Sequence, residues 1–186
     1  MENNFIKVGN KIVFKPETDG LDYSLESGKV YTIEIDRYTD EITFNTAPDI
    51  VLPEKVYTTD DDNKFIDRVL NYYNKTTDNT IGVMLSGLKG SGKTIMMKRI
   101  AVASELPIIL IDKSFYPSQL VKLFNKLADT KVCVLMDEVD KLGESYDDDY
   151  LLKVLDGINS SGKKLMIFTC NNEEDVNEYQ YKLLST

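Results

Sequence analysis

One segment of the chain has the glycine spacing of a phosphate-binding loop. Residues 87–94 have the sequence GLKGSGKT, which fits the pattern G-x-x-x-x-G-K-[ST]. Glycines let backbone N–H groups turn inward and approach an anion closely. The lysine can reach the β- and γ-phosphates, and the following hydroxyl can bind Mg²⁺. The residues expected to bind phosphate are Gly87, Leu88, Lys89, Gly90, Ser91, Gly92, Lys93 and Thr94.

The residues on either side of this segment predict a strand before it and a helix after it. Ile81–Ser86 is a short apolar run that is typical of a buried strand. The stretch from Thr94 to Glu105 is rich in Ile, Met and Ala, with Lys98 and Arg99 toward the exposed side. A helix start adds free N–H donors and the positive end of its dipole. The alternative, a glycine-rich turn with a chance lysine, does not account for these flanks.

A second group of candidate residues follows two later apolar runs. Asp137 and Glu138 come after Val132–Met136, and Asn171 ends the strand predicted from Lys164. Ligands of parallel sheets gather at the carboxyl ends of the strands. We therefore expect Asp137 to hold Mg²⁺ through water and Glu138 to orient or deprotonate an attacking water. Asn171 would contact the γ-phosphate or that water.

Each of these residues also has a purely structural alternative. An Asp-Glu pair at a strand end can form a solvated turn or a helix cap, and asparagine favours turns. The nearby phosphate loop favours the functional interpretation. The chain has no histidine, so catalysis would depend on carboxylates, lysine, hydroxyls and a bound metal.

The order of predicted elements indicates an α/β fold with two parts. From residue 59 to 186, strands alternate with single helices, which predicts a parallel sheet with right-handed crossovers and flanking helices. Residues 1–58 alternate apolar and polar side chains with a period of two, as in Tyr31–Asp36. They predict a small all-β module, a barrel or sandwich of four or five strands. It would serve docking, substrate or oligomer contacts, or only cover the neighbouring domain.

Composition and charge restrict the class of partner. The net charge of −9 argues against non-specific nucleic-acid binding, which depends on Lys and Arg pairing with phosphates. No apolar stretch approaches the roughly 20 residues of a membrane span, and the N-terminus lacks a signal-peptide pattern. Cys133 and Cys170 lie in apolar runs and are expected to be buried reduced thiols. We therefore expect a cytoplasmic protein.

These motifs together resemble those of the AAA+ ATPases, in the classical AAA branch of the P-loop NTPases. The resemblance covers roughly residues 54 to 186. Its pieces are a Walker A motif at Gly87–Thr94, a Walker B motif at Val132–Asp140, a sensor 1 strand at Phe168–Asn171 and a preceding helix and turn at Leu151–Ile158.

The resemblance implies Mg²⁺-dependent ATP hydrolysis by a ring, often a hexamer, that remodels a protein or assembly. It places Lys93 on the phosphates, Thr94 and Asp137 on Mg²⁺, Glu138 as the base and Asn171 as the sensor. Leu52–Tyr57 would lie beside the adenine. The preference for ATP over GTP follows only from this resemblance.

The sequence departs from the family pattern in two ways. The family's arginine finger follows sensor 1, whereas the arginines of this chain are Arg37, Arg68 and Arg99. The fifth strand and helical lid are also missing, so we expect a natural or engineered truncation, or an arginine from a partner. In the region of the family's first pore loop, Phe115-Tyr116 could grip a substrate or pack onto the core.

An arginine finger raises the rate of hydrolysis by about 10³–10⁵-fold. The isolated chain is therefore expected to hydrolyse ATP slowly. The alternative function is a nucleotide-binding or assembly module with little or no turnover. A nucleic-acid motor is a third candidate, which the acidic charge disfavours.

Overall fold

The computed structural model describes residues 5–8, 10–14, 24–36, 38–39, 41–77, 80–111, 115, 117–139, 141 and 163–171. The expected helix at Leu151–Ile158, together with Asp140 and Tyr116, lies outside these residues.

The described residues form eight strands and three α-helices. In chain order they are β1 Phe5–Val8, β2 Lys11–Phe14, β3 Val30–Ile35, β4 Ile42–Ala47, α1 Asp60–Lys75, β5 Ile81–Ser86, α2 Lys93–Ala103, β6 Ile108–Ile111, α3 Pro117–Lys126, β7 Val132–Met136 and β8 Lys164–Cys170. The strands before and after the phosphate loop were predicted from apolar runs. Pro117 begins α3, as expected of a residue with a fixed φ and no N–H to leave unsatisfied.

The strands form one mixed sheet with the order β1-β2-β4-β3-β6-β7-β8-β5. The pairs β3–β6, β6–β7, β7–β8 and β8–β5 are parallel, and the three pairs among β1 to β4 are antiparallel. The predicted α/β class, with a parallel sheet and flanking helices, is confirmed.

The N-terminal strands extend this sheet instead of closing into the expected barrel or sandwich. β3 pairs with β6 in parallel, in a register that places Val30 beside Ile108 and Thr32 beside Leu110. The physical reason is that β6 would otherwise present unpaired N–H and C=O groups along one edge. The division of the chain near residue 58 stays a prediction, and these hydrogen bonds cross it.

Two hydrophobic clusters cover the two faces of the sheet. One contains α3 with residues of β2, β3 and β4, and the other contains α1 and α2. Consecutive residues of β7 and β8 alternate between the clusters, as in any strand buried on both faces. Leu135 and Ile167 belong to the face covered by α2, the helix that follows the phosphate loop. The same alternation carries on to Asp137, Thr169 and Asn171, which places them on that face.

Two sequence alternatives are resolved by these clusters. Cys133 and Cys170 are buried and are not joined in a disulfide, as expected. Burial raises the pKa of Cys133 to about 12, so its thiol stays protonated at neutral pH. Phe115 is also buried and belongs to the cluster around α3, which favours its role in packing over an exposed gripping role.

We expect Phe44→Ala, a substitution in β4, to destabilise the whole sheet. Phe44 is 1% exposed and belongs to the same cluster as Phe124 and Phe168. The lost packing should lower the free energy of unfolding by about 3–5 kcal/mol in a single transition. Urea unfolding followed by circular dichroism measures this. Tyr38→Ala, at a side chain that is 99% exposed, is the control and should change stability by less than about 0.5 kcal/mol. Two separate transitions, with only one shifted, would show that the N-terminal strands fold independently.

Candidate functional site

The phosphate loop, residues 87–94, connects the end of β5 to the start of α2. Gly90 and Gly92 adopt φ values of 85° and 90°, a region that side chains with a Cβ rarely occupy. Gly92 is the N-cap of α2 and has no side chain to accept from the first-turn N–H groups. The helix start is therefore suited to an external anion.

The ammonium group of Lys93 lies inside this loop. Its Nζ donates to the carbonyl oxygens of Gly87 at 2.7 Å and Leu88 at 2.8 Å, and lies 3.5 Å from Ser91 Oγ. The side chains of Leu88 and Lys89 are exposed, so these two residues can contribute only backbone groups to the loop's interior. The loop thus presents one positive charge on a side chain that can move from carbonyl oxygens to a phosphate.

The two strongest sequence motifs meet at Asp137. Thr94 Oγ1 donates toward Asp137 Oδ1 at 3.3 Å and Oδ2 at 3.4 Å, across 43 residues of sequence. Thr169 Oγ1, on β8, also donates to Asp137 Oδ1. The carboxylate follows directly after β7 and therefore receives hydroxyl groups from a helix and from a neighbouring strand.

Glu138 lies next to this contact, with both carboxylate oxygens engaged. Its Oε1 accepts from Asn171 Nδ2 at 3.1 Å, and its Oε2 accepts from Lys141 Nζ at 2.6 Å. Its side chain is 31% exposed, so water can reach it. The structure thus brings the predicted base and the predicted sensor residue into direct contact.

A cavity of about 760 Å³ opens beside the loop, within the range of small-molecule sites. Its walls come from the segment 55–57, the end of β5, the phosphate loop and the first turns of α2. The lining residues are Lys55, Val56, Tyr57, Asp62, Met84, Leu85, Ser86, Gly87, Gly90, Ser91, Gly92, Lys93, Ile95, Met96 and Arg99. Part of the predicted adenine segment therefore lies where a base could bind. Thr94, Asp137, Glu138 and Asn171 are not lining residues and form the adjacent contact cluster.

The cavity wall also carries charged side chains of both signs. Arg99, which was expected on the exposed side of its helix, lines the cavity and donates from Nη2 to Asn63 Oδ1 at 2.6 Å. Asp62 forms a capping box with Thr59 at the start of α1. The backbone N–H of Thr59 holds the pKa of Asp62 below its usual range. The N-cap of α1 is therefore Thr59, with Asp60–Asp62 in the first turn.

The residues present fit a magnesium–phosphate ligand better than a bare metal ion. Within the part of the chain that the structure describes, no group of three or more Cys, Asp or Glu side chains could enclose a metal. Thr94 and Asp137 offer two oxygen ligands next to a loop suited to phosphate. Mg²⁺ is commonly held by one or two carboxylates together with substrate phosphates and water.

Thr169 and Lys141 are two residues of the site for which the sequence motifs predicted no role. Thr169 is a hydroxyl residue that follows four apolar residues of β8, Leu165–Phe168, and precedes Asn171 by two residues, so the strand period places both on one face. This two-residue spacing could have identified Thr169 from the sequence as a neighbour of Asn171. Lys141 follows Glu138 by three residues, a spacing that brings side chains together only where the backbone turns as in a helix.

Fold and site together define a nucleotide-binding α/β protein, and comparison with known families agrees. The family model described as "ATPase family associated with various cellular activities (AAA)" matches residues 83–184, more than half of the chain. The chain belongs to the AAA family of ATPases. No curated protein sequence matches it.

Solved structures with the same fold include two AAA proteins. The structure of C. elegans PCH-2 has 18% sequence identity and a TM-score of 0.53, over 70% of this chain and 42% of that one. A katanin structure, described under the words "Structural Basis for Katanin Self-Assembly", has 16% sequence identity and a TM-score of 0.51, over 71% of this chain and 50% of that one. The chain thus spans half or less of either relative. None of the helices in the described ranges is long and apolar enough to cross a membrane.

Replacing Lys93 by alanine should weaken ATP binding by tenfold or more. Charge-assisted hydrogen bonds are worth about 1.5–3 kcal/mol each, and the side chain of Lys89, the other lysine of the loop, is exposed. Titration calorimetry with ATP measures the affinity. Lys98→Ala, on the same helix and outside the cavity wall, is the matched control and should bind like the parent protein. Parent-like affinity in Lys93→Ala would show that this ammonium does not contact the phosphates.

Proposed function

We propose that this chain is the ATP-binding and ATP-hydrolysing core of a protein that remodels other proteins or assemblies. The observation that carries the proposal is the contact of Thr94 with Asp137 at the mouth of the phosphate loop. It joins a phosphate-binding motif to a strand-end carboxylate, the pairing that holds Mg²⁺ in P-loop ATPases. Membership of the AAA family supports the same chemistry.

The loop and Lys93 would bind the triphosphate. The backbone N–H groups of the loop and of the first turn of α2 supply donors that need no deprotonation or rearrangement of side chains. Lys93 Nζ would exchange the carbonyl oxygens of Gly87 and Leu88 for β- and γ-phosphate oxygens. This exchange keeps the ammonium hydrogen-bonded in both states.

Thr94 and Asp137 would hold Mg²⁺, with Asp137 acting through water. When bound, the metal neutralises charge on the phosphates. Thr94 Oγ1 can keep donating to Asp137 while its lone pairs face the metal. The distance of 3.3 Å between Thr94 Oγ1 and Asp137 Oδ1 supports a shared role for the two residues.

Glu138 would accept the proton of the attacking water. Its carboxylate is partly exposed, and Asn171 Nδ2 fixes the position of Oε1. Lys141 occupies Oε2, so the water must displace that contact or approach from the other side. Asn171 is also placed to donate to the water or to the γ-phosphate once Glu138 moves.

Assembly is proposed from the comparisons and from the arginine content. The katanin structure concerns the self-assembly of that protein, and this chain shares its fold. The three arginines of the sequence all precede Asp137. We therefore propose a homo-oligomeric ring that acts on a protein partner. The catalytic arginine of this ring would not come from the residues after the Walker B motif in this sequence, so another source would supply it. The alternative, a nucleotide-binding module with little turnover, is favoured by the same arginine content.

The substitution Glu138→Gln should preserve ATP binding within about threefold and lower hydrolysis by about 10²–10⁴, the usual value of general base catalysis. Phosphate release at saturating ATP, measured over a range of protein concentrations, tests both parts. Glu41→Gln, in an exposed turn between β3 and β4, serves as the control.

Three outcomes of this assay have different meanings. Parent activity that rises with concentration and is lost in Glu138→Gln supports hydrolysis completed by self-assembly. Equal rates in the parent and in Glu138→Gln would contradict the assignment of the base. ATP binding without hydrolysis at any concentration would favour the non-hydrolysing alternative.

A further inference from the structure

Thr169 joins the two carboxylate residues of the site through one buried hydroxyl. It lies on β8, is 1% exposed, and is one of only two polar or charged side chains that are buried within the described ranges. Its Oγ1 donates to Asp137 Oδ1 and accepts from the backbone N–H of Glu138 at 2.8 Å. A threonine hydroxyl has one hydrogen to donate, so that hydrogen is committed to Asp137.

The contact with Asp137 fixes the direction of its carboxylate. Thr94 lies at 3.3 and 3.4 Å from the two carboxylate oxygens and does not favour either of them. Thr169 donates to Oδ1 alone and comes from a strand whose neighbours hold it in place. Thr169 therefore selects which oxygen remains available to a ligand in front of the loop.

The contact with Glu138 fixes the backbone from which the proposed base extends. Glu138 has a φ of 54°, in the left-handed region that few residues other than glycine adopt. In this conformation its backbone N–H donates to Thr169 Oγ1, which helps to hold the strained backbone in place. The side chain of Glu138 is thereby directed to Asn171, which follows Thr169 by two residues on the same face.

We propose that Thr169 is a positioning residue for Mg²⁺ binding, which acts through the carboxylate of Asp137 while it also sets the backbone of Glu138. This inference rests on the proposed function, because it assumes that Asp137 serves the metal. Thr169 does not line the cavity, so its substitution leaves the walls that would contact the nucleotide unchanged. Partners that orient a metal ligand typically change metal affinity by about 10- to 100-fold when removed.

The test measures how much Mg²⁺ strengthens nucleotide binding by the full chain. The affinity for ATPγS is determined by calorimetry, once with Mg²⁺ and once with EDTA, for the parent, Thr169→Val, Thr169→Ala and Thr169→Ser. Valine keeps the shape of threonine, alanine removes the hydroxyl without adding a methyl group, and serine keeps the hydroxyl. Thr32→Val, at an exposed position of β3, is the control.

Removal of the hydroxyl should reduce the Mg²⁺-dependent gain in affinity by about tenfold or more. Affinity in EDTA should stay within about threefold of the parent, and Thr169→Ser and Thr32→Val should keep the full gain. Thermal melting of each variant confirms that it is folded, and Thr169→Ala decides the question if Thr169→Val does not fold.

Two results would overturn the inference. One is a full Mg²⁺ gain in a folded variant that lacks the hydroxyl. The other is an equal loss of affinity with and without Mg²⁺, which would mean that Thr169 only maintains the shape of the site. A parent protein that binds no ATPγS in either condition would instead contradict the proposed function itself.

Discussion

The organisation of the site depends on how the carboxylate of Asp137 is held at the end of β7. A charge at the edge of an apolar sheet must be hydrogen-bonded or remain in water. Here one hydroxyl comes from α2 and another from β8. The register of β7 with β8 pairs Met136 with Phe168, so the next residues on the two strands, Asp137 and Thr169, come side by side. The carboxylate of Asp137 therefore links α2, β7 and β8 to one another.

The rest of the sheet supports this arrangement by burial on both faces. α1 and α2 cover one face, and α3 with residues of the N-terminal strands covers the other. β3 completes the hydrogen bonding of β6, which in turn pairs with β7. The N-terminal strands thus belong to the hydrogen-bonded framework that positions β7. Their removal would expose the edge of β6 and the residues of α3, such as Phe124, that share a hydrophobic cluster with these strands.

The sequence predicted those features that depend on local patterns. The phosphate loop is contiguous, and Asp137, Glu138 and Asn171 follow apolar runs whose carboxyl ends share one edge of a parallel sheet. The pairing of β3 with β6 was not predicted, because the two strands are far apart in the sequence. The alternation of apolar and polar residues within a strand does not indicate which other strand it pairs with. Thr169 was missed for a related reason, since its role follows from the register of β7 and β8.

A crystal structure of the chain with Mg²⁺ and ATPγS tests the central claim most directly. We expect the triphosphate in the loop of residues 87–94 and Lys93 Nζ moved from the carbonyl oxygens of Gly87 and Leu88 to the phosphates. We also expect a metal held by Thr94 and, through water, by the carboxylate of Asp137, whose Oδ1 stays bonded to Thr169. A nucleotide bound elsewhere, or Lys93 still on those carbonyl oxygens with the nucleotide present, would contradict the account.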